Sequence, residues 1–368
     1  MTVSDIHSIF SRWAPKDIAW ERDNVGLQVG DMNVEVAGIL VALDCTERIV
    51  AEAKTRNANL IVTHHPLLFR PPKTITPSDG VGSCIRALIA NSITLYSAHT
   101  NLDFTRGGVS FAVAAALGLR EVDFLRTPHR VQKKIVTFVP EEHVAKVRDA
   151  MAAAGAGMIG NYDHCSFGTI GAGSFRGNEA TNPTVGEKGK LEQVSEVRLE
   201  MIANQWDVPH VVQAMRASHP YEEVACDVYA LENASNDFGN GVIGALPKAM
   251  RIEKFLTLVK KSLGAKALRR TVSFGRPIRK VAACGGAGAD LIDTAIARGA
   301  DAFITADVRY HDFHHATGRI VLVDAGHYET EHLVVEAVVK KLKKEFAALG
   351  KGVPVSAARQ STNPIFYS

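Results

Sequence analysis

Residues 60–69 read LIVTHHPLLF: an apolar, partly β-branched run, then two adjacent histidines, then a proline. A short apolar run of this kind reads as a buried strand of a parallel sheet, and Pro66 turns the chain at its end. Ligands of open α/β sheets bind at the carboxyl ends of the strands, which is where His64 and His65 stand. Neighbouring side chains on a strand point to opposite faces. At the strand's end both imidazoles can lean into one crevice, and they suit two centres a few ångströms apart better than a single ion.

Working outward, VAGILVAL (36–43) reads as a buried strand, TERIVAEAKTRN as an amphipathic helix opened by Thr46, and NLIVT as the next strand. GVGSCIRALIANS, ITLYSAHT and GGVSFAVAAALGL follow as helix, strand and helix. The last third repeats the rhythm: IRKVAACGG, DAFITA and GRIVLVDAG as strands, ADLIDTAIARG as a helix, and YETEHLVVEAVVKKLKKEFAAL as one long helix. This alternation predicts parallel strands with helical crossovers. The middle, from about Arg130 to Leu231, reads strand-helix-strand twice, a ferredoxin-like α+β pattern, with LREVDFLRTPHR and ENASNDFGNG as linkers. The fold class expected is therefore α/β: a discontinuous, two-lobed core (1–127 and 234–368) with an α+β domain inserted at 128–233.

The bulk composition agrees with two or three folded units in 368 residues: 46% of residues are hydrophobic and 22% charged. A net charge of +3 gives no reason to expect a nucleic-acid or membrane surface, and the local run KKLKKEF reads as a solvated helix face. Five scattered cysteines (45, 84, 165, 226 and 284) without a C-x-x-C pair fit reduced thiols. No stretch approaches the roughly 18 apolar residues of a membrane span, and the N-terminus has no signal-peptide core. The expectation is a cytoplasmic protein.

Two further strand ends carry matching chemistry. SAHTNLD (97–103) offers His99 and Asp103, and DAGHYETEH (324–332) offers His327 and Glu331. The last two are spaced i, i+4 at a helix start, about 6 Å apart along one face, and a carboxylate has two oxygens with which to bridge two cations. A single histidine after a strand is more often a core or capping residue than a ligand. Asp103 alone could be a turn residue, and Glu329 or Glu331 alone a favourable charge in a first helical turn. Three such clusters at three strand ends of one sheet edge favour metal binding. The donor set, three imidazoles and two carboxylates, suits Zn, Fe or Mn rather than Ca or Mg. His99 and His311 are candidates for orienting a ligand or moving a proton, or for a structural role. CGGAGAD (284–290) could approach a phosphate, although tight strand-to-helix packing explains it equally.

The stretches DNVGLQVGD (23–31), LIVTHHPLLFRPPKTIT (60–76), SAHTNLDFTRGGV (97–109), FITADVRYHD (303–312) and DAGHYETE (324–331) resemble the Nif-three-like family. Its members are hexameric proteins with a dinuclear metal centre, often described as type 2 GTP cyclohydrolase I. The resemblance implies two divalent ions per chain, one held by His65, Asp103 and Glu331 and the other by His64, His327 and the shared Glu331. It also implies that the insertion is PII/CutA-like, with HPYEEVACDVYAL (219–231) as its closing strand. Ala306 and Asp307 stand where relatives usually have Gly-Glu, and Ser110 where Asn is usual.

A pair of ions at roughly 3.5–4 Å can clamp a hydrolytic transition state. The function expected is metal-dependent hydrolysis of a small nucleotide-like substrate, and the resemblance implies opening of the guanine imidazole ring of GTP with formate release. A metal-dependent phosphoesterase and a non-enzymatic metal-handling or regulatory oligomer are the other readings. The resemblance further implies a homohexamer.

Overall fold

The strands ILVA (39–42), LIVT (60–63) and TLYS (94–97) are buried at every residue, as expected for strands covered on both faces. In the computed structural model, which describes residues 1–128, 131–272 and 275–368, they form the parallel centre of a five-stranded sheet. Its order is Gly26–Val29, Thr94–Ser97, Leu60–Thr63, Ile39–Ala42 and Val355–Ala357, with only the first pair antiparallel. A second sheet of six strands runs Arg269–Arg270, Val321–Asp324, Ala302–Ala306, Ile278–Ala287, Asn240–Met250 and Arg120–Arg126. Here the centre is parallel and both flanks are antiparallel. The mixed α/β class is thus as expected, but the sheets are not wholly parallel.

Three segments fold differently from the expectation. Arg120–Arg126 is a strand rather than a linker: Phe124 and Leu125 are buried, and Phe124 pairs with Val242. Its charged residues mark an edge strand, which presents polar groups outward. The second expected linker, ENASNDFGNG, already enters a strand at Asn240. The long C-terminal helix is two helices, His327–Glu331 and Val334–Ala348. The first buries Glu329, Thr330 and Glu331, whereas the second buries Val334, Val338, Val339 and Leu342 against the five-stranded sheet, so a polar and an apolar face are served by separate axes.

The chain divides into two compact units, Met1–Arg126 with Asp237–Ser368, and Thr127–Asn236. The second has the strand order Ser166–Phe175, Glu192–Asn204, Gln132–Val139, Cys226–Ala230, all neighbours antiparallel. Helices Val144–Ala153 and Val208–Ser218 cover one face through Val147, Met151, Val211 and Met215. His129 and Arg130, the last residues of the first expected linker, lie outside the described residues. Among the described residues no helix is long and apolar enough to cross a membrane.

Candidate metal centre

The parallel ladder continues one step beyond the strand at residues 60–63. His64 N–H donates to Ala42 O at 3.3 Å and His65 N–H to Leu43 O at 2.9 Å, so both imidazoles leave from a fixed backbone. Thr63 Oγ1 donates to His65 O and bonds Ser97 Oγ, both at 2.8 Å, tying this end to the next strand. The two rings lie 5.0 Å apart between centroids. His64 Nδ1 meets the Ala98 carbonyl at 2.9 Å, which fixes its proton there and leaves Nε2 free.

Glu331 is brought in from the other sheet by the single turn His327–Glu331. Its Oε2 lies 2.9 Å from His65 Nε2 and 3.0 Å from His327 Nε2. Its Oε1 lies 3.9 Å from His64 Nε2, which is 3.6 Å from Asp103 Oδ1. One carboxylate therefore stands between His65 with His327 on one oxygen and His64 with Asp103 on the other. The split implied by the resemblance instead sets His65 with Asp103 and His64 with His327 about the shared Glu331; Asp44 holds His65 Nδ1 at 2.7 Å.

A glycine makes this possible. Gly286 has φ +61°, and a Cβ there would stand 2.2 Å from Glu331 Oε1. The Gly-rich turn that might have approached a phosphate instead makes room for the central carboxylate, while its neighbour Gly285 admits Val109.

Each imidazole other than His64 has its own carboxylate. Asp23 takes His99 Nδ1 on Oδ1 at 2.9 Å and accepts from Thr100 N–H and Oγ1–H on Oδ2; Asp44 takes His65 and accepts from Thr362 Oγ1; Asp307 takes His327 Nδ1 at 2.7 Å. Such partners set the tautomer and raise ligand basicity. Asp44 and Asp23 went unassigned in the sequence. The register Ala42↔Thr63 sets Asp44 beside His65, so the strand-end rule would have found it. Thr362, on the chain's far end, carried no such signal.

The electrostatics follow from burial and these bonds. Burial lowers His64 to about 3. Burial also opposes charge on His65, but bonds to Asp44 and Glu331 outweigh it and raise the ring to about 10. The Glu331 bond raises His327 to about 9. Burial works to raise Glu331, yet His327 and His65 hold it well below the usual carboxylate range. Burial raises Asp103. For Asp23, burial is outweighed by the bonds from His99 and Thr100, and it falls to about 2.

The residues fit a cation. His64 Nε2 and Asp103 Oδ1 are both buried, and neither has a hydrogen-bond partner; burying two such groups unpaired is costly. Candidate ligand atoms also gather as His65, His327 and Glu331, and as His64, His65 and His99. The five predicted ligands thus meet in one place, and His99 joins them with its ring 5.2 Å from His64 and 5.5 Å from His65. His311 does not join. It is exposed on the helix Tyr310–Ala316 with its ring against Tyr310, and the clustered groups do not include it.

Comparison with known proteins shows the family. Residues 1–364 match the family described as Duf34/NIF3 (NGG1p interacting factor 3). A protein of Halalkalibacterium halodurans named GTP cyclohydrolase 1 type 2 homolog is 40% identical, covering 98% of this chain and 97% of its own. A Bacillus subtilis protein of the same name is 37% identical over 98% and 97%. Among solved structures, a Bacillus cereus protein related to NIF3 matches with TM-score 0.87 and 40% identity, covering 100% and 99%. A Staphylococcus aureus protein matches with TM-score 0.80 at 29% identity, also covering 100% and 99%.

Proposed function

The chain belongs to the Duf34/NIF3 family, and on that premise we propose that it is a dinuclear-metal-dependent hydrolase of a nucleotide-like substrate, with GTP ring opening and formate release as the specific reaction. The observation that carries this reading is the single carboxylate of Glu331 placed between two sets of donors, with buried His64 Nε2 and Asp103 Oδ1 left unpaired beside it. His64, Asp103, His65, His327 and Glu331 would hold two divalent ions of Zn, Fe or Mn. Bound there, the ions supply Lewis acidity for hydrolysis. The chain's own part is to hold and to move protons. Asp23 fixes the Nδ1 proton of His99 and leaves Nε2 toward the cluster, which makes His99 the proton carrier. His311 remains a proton-transfer candidate only if substrate brings it to the cluster.

The names of the relatives support a guanine nucleotide. The proposal includes a closed homohexamer in the cytoplasm, the latter supported by five free cysteines, and a PII/CutA-like reading of the inserted segment 128–233, supported by its strand order. The test is direct. Protein loaded with Zn, Fe or Mn is incubated with GTP and other nucleotides, and formate and phosphate are measured. Formate release from GTP that is lost in Glu331→Ala supports the reading, and phosphate release instead supports a phosphoesterase. No turnover of any nucleotide with any of the three metals overturns hydrolysis.

A further inference from the structure

The unit Thr127–Asn236 has a cavity of about 590 Å³ that none of the metal-centre residues line. Its floor is the sheet face opposite the helices: Phe138 and Arg198 alternate with Val139 and Leu199, which belong to the helix-covered core. Glu196 shares the floor, and the segment around Thr181–Val185 and Tyr221 form walls. Glu222 ties that segment down by accepting from Asn182 N–H at 2.7 Å.

Glu196 is only 9% exposed and forms no ion pair among the described residues. The cation in the floor, Arg198, is committed elsewhere: its Nε lies 2.8 Å from Glu200 Oε1 and its guanidinium 5.8 Å over the Phe138 ring. The Tyr221 hydroxyl is buried without a hydrogen-bond partner of proper geometry. Burial and the facing Glu196 carboxylate push it up to about 12. Gly173 completes the arrangement, because a Cβ there would lie 2.0 Å from Glu196 Oε2. The strand gives up a side chain where the carboxylate needs room.

A buried carboxylate without a counter-charge is costly, and a cation that meets it with N–H donors offsets that cost. The acids lining the cavity, Glu196, Glu222 and Glu223, outnumber the arginines, Arg176 and Arg198. The volume lies in the range of small-molecule sites and far exceeds the roughly 30 Å³ share of one water, so an ammonium ion alone would leave it mostly empty. Gly171, Ala172, Phe175 and the Tyr221 ring supply apolar wall for an organic body. We infer that this cavity is a binding site for a small organic cation, an alkylammonium or alkylguanidinium, whose N–H donors meet Glu196 and the Tyr221 hydroxyl and whose body lies along Gly171–Phe175.

Titration calorimetry on the full chain, with butylammonium and butylguanidinium chloride as probes and sodium chloride at equal ionic strength as the blank, tests this. Saturable binding of one or both is expected, and the preferred probe identifies the head group. Glu196→Gln and Gly173→Leu should each weaken binding at least about tenfold, the first by removing the charge and the second by filling its place. Heat that does not saturate with either probe up to about 10 mM, the weak end of specific affinity, overturns the inference. Binding that persists unchanged in Glu196→Gln does so as well. Thermal unfolding without probe gives a second readout. Removing an uncompensated buried charge should leave the melting temperature of Glu196→Gln unchanged or raised, and a clear fall would make the carboxylate a structural one instead.

Discussion

The two sheets of the core contribute to one candidate metal centre in different ways. The five-stranded sheet brings His64, His65 and His99 on backbone that the parallel ladder and Thr63 hold. Its bracing carboxylate Asp23 has a side chain only 1% exposed and bonds to His99 and twice to Thr100. The six-stranded sheet brings His327 and Glu331 on a single helical turn, and His327 is braced by Asp307, whose side chain is 56% exposed and whose φ is +53°. One side of the site is preset, and the other depends on an exposed carboxylate in a backbone region that non-glycine residues seldom occupy.

Predictions that could break this contrast run from the centre outward. Glu331→Ala should empty both metal positions, since Glu331 alone serves donors from both sheets; elemental analysis retaining one full equivalent would contradict it. Asp103→Ala should spare the position shared by His65 and His327, and a protein without any metal would mean the two positions are not separable. Removing a partner of a metal-bound histidine typically costs about 10–100-fold in metal affinity. We expect Asp44→Ala, which frees the ligand His65, near the upper end of that range and Asp307→Ala, which frees His327, near the lower, measured by competition with a chelator. The reverse order would sink the distinction between a preset and a loosely braced side.

Protons offer a subtler test. Without metal, His65 and His327 are raised from 6.5 to about 10 and about 9, so the folded chain binds protons there more tightly than the unfolded chain. That contribution to stability is complete below pH 6.5 and is lost as pH rises through about 9 and about 10. Metal uptake needs neutral rings, so it should release protons at pH 7 and tighten with rising pH. Calorimetry in buffers of different ionisation enthalpy measures this, and uptake without proton release would contradict it. Smallest of all, Thr362→Val should speed metal loss to a chelator by a few-fold, because Thr362 touches His65 only through Asp44; an unchanged rate would leave Thr362 a bystander.

Much of this site was legible because its ligands follow strands. The runs ILVA, LIVT and VLVD are buried throughout, and each site histidine stands within a few residues of such a run or of its parallel neighbour. What escaped was fixed by pairing between distant segments. REVDFLR alternates too weakly to declare itself a strand, and only its partner at Asn240–Met250 makes it one. Gly286 reads as any turn glycine until Glu331 is placed against it. Asp44 and Thr362 are 318 positions apart, and nothing local announces their bond.

The five-stranded sheet is finished by the strand Val355–Ala357 and covered by the helix Val334–Ala348. Val3, Ile6, Phe10, Val41 and Val62, all in the core beneath that helix, therefore leave the ribosome long before their cover exists. At the usual elongation rate of about 5–20 residues per second, this apolar surface waits on the order of tens of seconds, through the synthesis of the whole second compact unit. A nascent chain in that interval is a natural client for a holdase chaperone. A slowed ribosome over the last third of the message should lower the yield of soluble protein more than the same pause placed early.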